Sequence, residues 1–159
     1  MKAEKNDRDL YLVLVNKQHR IPENWNDKVE FMPASNCDGE EFKVEKETLC
    51  ALNKLKADFL KEGVKIEIDS SYRSIEMQQH IWEWDLENRG EEYTRLYVAL
   101  AGYSEHHTGL AVDIFVDKNG TRVYRDKDGN NYFKPFIHPR IASYGFILRY
   151  PEGKEDITC

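Results

Sequence analysis

One stretch of this chain concentrates groups that do chemistry: Ser104-Glu105-His106-His107-Thr108-Gly109-Leu110-Ala111-Val112-Asp113. His106 falls in a turn-like segment, and Gly109 lets that segment fold back. Asp113 falls within a predicted apolar strand, Leu110 to Val116, where a carboxylate is costly unless it is paired or bound to a metal. Ala111 leaves space beside it. An imidazole close to a buried carboxylate is a normal start for a zinc site. The same two residues also fit a His–Asp hydrogen bond that merely holds a loop, and on spacing alone that is the plainer reading.

A second stretch, Ser70-Ser71-Tyr72-Arg73-Ser74 with Gln78 one turn further, sits where a strand opens into a helix. Binding residues are common at such junctions. Arg73 is suited to a two-pronged hydrogen bond with a carboxylate or a developing oxyanion. The alternative is an exposed surface arginine beside Ser74 acting as a plain helix cap. His107 and His138 are further candidate metal donors, and Glu105 is the acid nearest the motif. His80 reads as a helix-surface residue, and His19 has no evident role. Asp126-Lys127-Asp128-Gly129-Asn130 has the start of a calcium loop but lacks its later ligands and closing Glu.

These groups need elements to position them. Residues 8–18 read as a strand or an extended packing segment, and a loop-rich stretch punctuated by Pro22 and Pro33 follows. Residues 45–62 read as a helix, with Leu49, Leu52, Leu55 and Phe59 at helical spacing and Gly63 at its end. Val64, Ile66 and Ile68 alternate with charged residues, as in a half-buried strand. Ser74 caps a second helix that runs to about Arg89, and a third spans roughly Glu91 to Leu100. Asn119-Gly120 predicts a tight hairpin after the Leu110 strand, with the return strand ending at Tyr124. Phe146 to Tyr150 reads as a last strand. The order α-β-α-α-β-β-β predicts an α+β domain, with N-terminal helices packed on a small, mainly antiparallel sheet that carries the site.

The 159 residues suffice for one domain with a real core. The formal net charge of −6 argues against a nucleic-acid partner, which wants a basic face, and weakly against an anionic membrane surface. No run of the sequence approaches a membrane-spanning segment. The charged start is not a signal peptide, so the expected location is cytoplasmic, or cell envelope or extracellular if a leader or anchor has been removed. Three cysteines, Cys37, Cys50 and Cys159, make no disulfide framework; Cys50 is expected to pack on its helix and Cys159 to be exposed. Composition leaves the oligomeric state open.

Ser104-x-His106-x-x-Gly109-x-Ala111-x-Asp113 resembles the signature of the VanY-like D-alanyl-D-alanine carboxypeptidases, a group related to lysostaphin-type and hedgehog-type domains. Leu14-Val15-Asn16-Lys17, Tyr72-Arg73-Ser74 with Gln78, and Tyr144 to Pro151 resemble further segments of that family, so the likeness covers most of the chain. It implies a zinc cofactor with His106 and Asp113 as two of three protein ligands. It implies Arg73 as the catalytic oxyanion stabiliser, helped by Gln78, and Ser104, Gln78 and Tyr72 as substrate-binding residues. The implied reaction is hydrolysis of the terminal D-alanine bond of a peptidoglycan stem peptide or precursor. Its alternatives are an L,D-carboxypeptidase or endopeptidase, or an impaired relative that binds wall peptides without cleaving them.

The family closes with a Glu-x-x-His segment that supplies the general base and the third ligand. This sequence reaches Tyr150-Pro151-Glu152 and Ile157-Thr158-Cys159 without it. The expectation is therefore a single peptidase domain over 1–159, truncated before its last metal-binding motif.

Overall fold

The structure, a computed structural model, describes residues 11–124, 133 and 136–149. It is an α+β fold built on two small antiparallel sheets. Strands β1 (Phe31–Ser35) and β2 (Glu41–Glu45) form a hairpin, with Phe31 opposite Glu45 and Ser35 opposite Glu41. Helix α1 (Lys46–Lys61) follows, then β3 (Lys65–Ser70), α2 (Ile75–Arg89) and α3 (Glu91–Tyr97). Strands β4 (Asp113–Lys118) and β5 (Thr121–Val123) complete a second sheet in the order β3-β4-β5.

The β1–β2 hairpin replaces the loop-rich stretch expected around Pro33. Pro33 is tolerated because it lies exposed on a two-stranded ribbon, where a missing N–H costs little. Asn36 closes the turn: its Oδ1 accepts from the backbone N–H groups of Asp38 and Glu40. The described part of the 8–18 segment, from Tyr11, joins no strand ladder. It is the extended packing alternative, with Val15 buried against Ile21 and Trp25.

Helix α1 starts where Glu45 accepts hydrogen bonds from Thr48 N and Oγ1 at 2.8 and 2.9 Å. It ends at the expected Gly63 turn. Its buried face carries Leu52, Leu55 and Phe59, each 1% exposed or less. Burying each such side chain contributes about 1.5–3 kcal/mol. They pack against Ile66, Ile68 and Val116 of the second sheet in two adjoining clusters.

The β3 alternation is imperfect, because Glu67 is buried between Ile66 and Ile68. An ion pair to Lys56 at 2.7 Å compensates its desolvation. The β4–β5 hairpin turns at Asn119 and Gly120, with φ of 53° and 81°, the backbone a two-residue type I′ turn requires. The return strand stops at Val123, one residue before the expected Tyr124.

Other expectations are corrected. Helix α3 ends at Tyr97, since the Val98 backbone is already extended. The strand expected from Leu110 begins only at Asp113, the partner of Ser70 and first rung of the β3–β4 ladder. Residues 146–149 form no strand, although Phe146 packs into the core; Tyr150 lies outside the described residues. Cys50 is exposed on α1 rather than packed, and Cys37 is exposed as well. The Asp126–Asn130 turn and Cys159 also lie outside the described residues. No helix of the described residues is long and apolar enough to cross a membrane.

Candidate active site

The segment after α3 and the segment before α2 meet at the end of the second sheet. Ser104 caps a 3-10 turn, Glu105–Thr108, through its Oγ, which accepts from His106 N at 3.3 Å. The backbone then reverses at Gly109. Its φ is +73°, and a Cβ there would meet Phe31 Cε1 at 2.5 Å and Glu45 N at 3.2 Å. Gly109→Ala should therefore cost about 2–3 kcal/mol through backbone strain and overlap, measurable by urea denaturation. A change below 0.5 kcal/mol would show that Phe31 yields freely.

Backbone bonds fix this loop from three sides. Arg73 N donates to His106 O at 3.0 Å, Glu45 N to Gly109 O at 3.1 Å, and Ile21 N to Gly102 O at 2.8 Å. Trp25 Nε1 donates to Thr108 O at 2.9 Å from a buried position.

His106 and Asp113 come together, with Nε2 and Oδ2 3.4 Å apart. His106 Nδ1 lies 2.7 Å from the Ser71 carbonyl oxygen, which can only accept, so Nδ1 is the donor there and Nε2 is the ring atom turned toward Asp113. An outer carbonyl that orients a histidine in this way is the usual support of a metal ligand. Asp113 is not the buried strand carboxylate expected: it opens β4, and its side chain is 52% exposed. The burial cost invoked from sequence does not arise, and the carboxylate faces the cleft instead.

His107 points away and serves the loop. Its Nδ1 lies 2.7 Å from Arg73 O, and its Nε2 accepts from Gly102 N at 2.9 Å. Both ring nitrogens are used by the neutral form, and burial holds its pKa below the ordinary range. The sign follows. Below about pH 6.5 the unfolded chain takes up a proton that folded His107 refuses, so its contribution, full above that pH, is lost on acidification. Melting temperature should fall as pH drops from about 6.5 toward the depressed folded pKa. A flat profile across that window would remove His107 as the cause.

Arg73 Nη1 donates to Gln78 Oε1 at 2.7 Å and Nη2 to Ser70 Oγ at 3.3 Å. Gln78, 1% exposed, is itself held by donating from Nε2 to Ala99 O at 2.7 Å. Arg73, Gln78, Ser104, His106 and Asp113 all line one cleft of about 760 Å³, a volume suited to a small ligand. Tyr72 does not line it. That ring packs at a tilt of 53° against Phe31, with centroids 4.5 Å apart, and its hydroxyl accepts from Asn26 Nδ2.

Two cleft residues pair with each other across a long stretch of sequence. Arg149 reaches Glu105 and forms an ion pair with it at the cleft wall. Burial pushes the Glu105 carboxyl upward, while Arg149 opposes that shift. Nothing in local spacing links positions 105 and 149; only the fold does.

Among the described residues, no three His, Cys, Asp or Glu side chains form a group able to hold a metal ion. His138 lines the cleft but stacks on Phe133, and His80 and His19 are exposed. His106 Nε2 and Asp113 Oδ2 suit a zinc ion in chemistry and orientation, and they supply two donors of the three a catalytic site uses.

Comparisons with known proteins point to one family. A family model described as VanY, D-alanyl-D-alanine carboxypeptidase, matches residues 41–159. A putative carboxypeptidase of Bacillus subtilis, YodJ, is 35% identical over 151 residues, covering 92% of this chain and 55% of the relative. The solved LdcB LD-carboxypeptidase is 34% identical with a TM-score of 0.76, covering 97% of this chain and 73% of that one. A vancomycin-resistance D,D-pentapeptidase VanY, solved in complex with Zn(II), is 27% identical with a TM-score of 0.72, covering 94% and 82%. The chain spans about half the length of the curated relatives it matches, or less.

Proposed function

The chain belongs to the VanY family of D-alanyl-D-alanine carboxypeptidases, and from that membership we propose that it hydrolyses the terminal D-alanine bond of peptidoglycan stem peptides. The observation that carries the proposal is the convergence of His106, Asp113 and the Gln78-held Arg73 on one cleft. His106 and Asp113 would hold zinc, as two of its protein ligands. The chemistry zinc supplies when bound is Lewis-acid polarisation and activation of water.

The chain's own residues do the rest. The Ser71 carbonyl keeps the His106 ring in one tautomer and one orientation. Gln78 and Ser70 hold the Arg73 fork at the cleft wall, so its fixed positive charge would stabilise, without reorganisation, the charge that develops on the carbonyl oxygen. Ser104, on the cleft wall beside His106, would meet the terminal residue of the peptide. The third ligand and the general base are assigned to the closing Glu-x-x-His of the family, which the 159 residues do not contain.

An L,D reading, cleaving shorter stems, is favoured by the LdcB likeness at the higher TM-score. Incubation with zinc and either a pentapeptide ending in D-Ala-D-Ala or a tetrapeptide ending in D-Ala separates the two. Release of D-alanine from the pentapeptide alone supports the D,D proposal, and release from the tetrapeptide alone replaces it with the L,D reading. Binding of either peptide with no release leaves a wall-peptide binding module.

A further inference from the structure

Helices α2 and α3 carry aromatic surface that the core does not use. Helix α2 buries only Gln78 and Asp85. Trp84, Tyr93 and Tyr97 are 54%, 36% and 62% exposed. Patches of this kind mark interaction sites more often than they occur idly.

These side chains form a row. The Arg89 guanidinium lies 5.5 Å from the Trp84 ring centroid and 5.0 Å from that of Tyr93. Arg89 Nη1 donates to Tyr93 Oη at 2.7 Å, and the Tyr93 and Tyr97 centroids are 4.8 Å apart. Buried Asp85 holds Arg89 Nε at 3.0 Å, which fixes the middle of the row. Tyr97 is also a wall of the cleft that contains His106 and Arg73. The row is thus continuous with the cleft.

We propose that the Trp84–Arg89–Tyr93–Tyr97 row is a saccharide-binding platform that takes the glycan portion of the wall polymer while the attached stem peptide occupies the cleft. The inference rests on the stem-peptide reading of the cleft and deepens it. The C–H face of a pyranose ring is weakly positive and packs on the negative face of an aromatic ring. Its hydroxyl and acetamido groups meet donors and acceptors at the rim, here Arg89 and the tyrosine hydroxyls. Peptide and sugar are covalently joined in the wall, so two adjoining weak sites hold one ligand at a high effective concentration. The ion pair and hydrogen bond on Arg89 order the row beforehand, which lowers the entropy lost on binding.

The experiment uses the whole chain and three probes, followed by calorimetry: a stem peptide with a phosphinate at the scissile bond, the same peptide carrying its N-acetylglucosamine–N-acetylmuramic acid disaccharide, and the disaccharide alone. The disaccharide peptide is expected to bind about tenfold more tightly than the bare peptide. Trp84→Ala and Tyr97→Ala should each erase most of that advantage, and Trp84→Ala, outside the cleft lining, should leave the bare-peptide affinity unchanged. Equal affinities in the unaltered protein, or an advantage that survives both substitutions, overturns the platform. A concentration-dependent dimer that Tyr97→Ala dissociates, with no saccharide effect, overturns it in favour of a contact between two copies. If the bare peptide fails to bind but the disaccharide binds and Tyr97→Ala abolishes it, the platform stands and the carboxypeptidase reading falls.

Discussion

His106→Ala is expected to strip zinc from the purified protein and to lower D-alanine release by about 10³-fold or more, because Lewis-acid activation worth several kcal/mol is lost with the metal. The expectation follows from the donor geometry. His106 Nε2 stands 3.4 Å from Asp113 Oδ2, and the 2.7 Å contact with Ser71 O leaves that nitrogen no other orientation. Without the imidazole, Asp113 is a half-exposed carboxylate with no second described donor beside it. A single carboxylate does not retain zinc against water. His80→Ala is the matched control: His80 is exposed on α2, and its loss should leave metal content unchanged. Elemental mass spectrometry reads the result independently of turnover. Zinc retained at full occupancy in His106→Ala would place the metal elsewhere and remove the basis of the proposed mechanism.

Arg73→Lys should reduce kcat by about 10²–10³-fold with little change in KM, the pattern of a donor used chiefly in the transition state. Lysine keeps the charge but not the planar fork. In this site the fork is what Gln78 Oε1 and Ser70 Oγ hold, at 2.7 and 3.3 Å. Gln78→Ala should show the same split in weaker form, since it frees the guanidinium without deleting it. Steady-state kinetics on a D-Ala-D-Ala pentapeptide measures both. A raised KM at unchanged kcat would instead make Arg73 a ground-state anchor for the substrate carboxylate.

The parts of this molecule legible in its sequence are those governed by local periodicity and turn chemistry. Leu52, Leu55 and Phe59 mark the buried face of α1, Ser74 caps α2, and Asn119-Gly120 turns β4 into β5. The β1–β2 hairpin was not legible. Its strands mix polar and apolar residues, Pro33 speaks against a strand, and the pairing is stabilised by Asn36 and by α1 rather than by local propensity. The same limit applies at the site. Asp113 looked buried because apolar residues surround it in sequence, yet the ladder begins at its pairing with Ser70, which leaves it at the open end. The family resemblance marks Tyr72 for the site through the Tyr72-Arg73-Ser74 element, but the Tyr72 ring does not line the cleft that Arg73 lines. Tyr72 packs against Phe31 instead, ring tilted against ring.

The backbone bonds across the site have a consequence for timescale. Arg73 N to His106 O, Tyr72 N to Lys43 O and Glu45 N to Gly109 O join three separate segments. None of those amides can open to solvent without parting its segment from a neighbour, so their hydrogen exchange should occur in one cooperative event. Events of that kind take microseconds to seconds, whereas side chains at the exposed rim turn over in nanoseconds or less. The spacing of His106 and Asp113 is therefore renewed rarely, and an ion held there would come and go at a rate set by its own ligand exchange rather than by breathing of the fold.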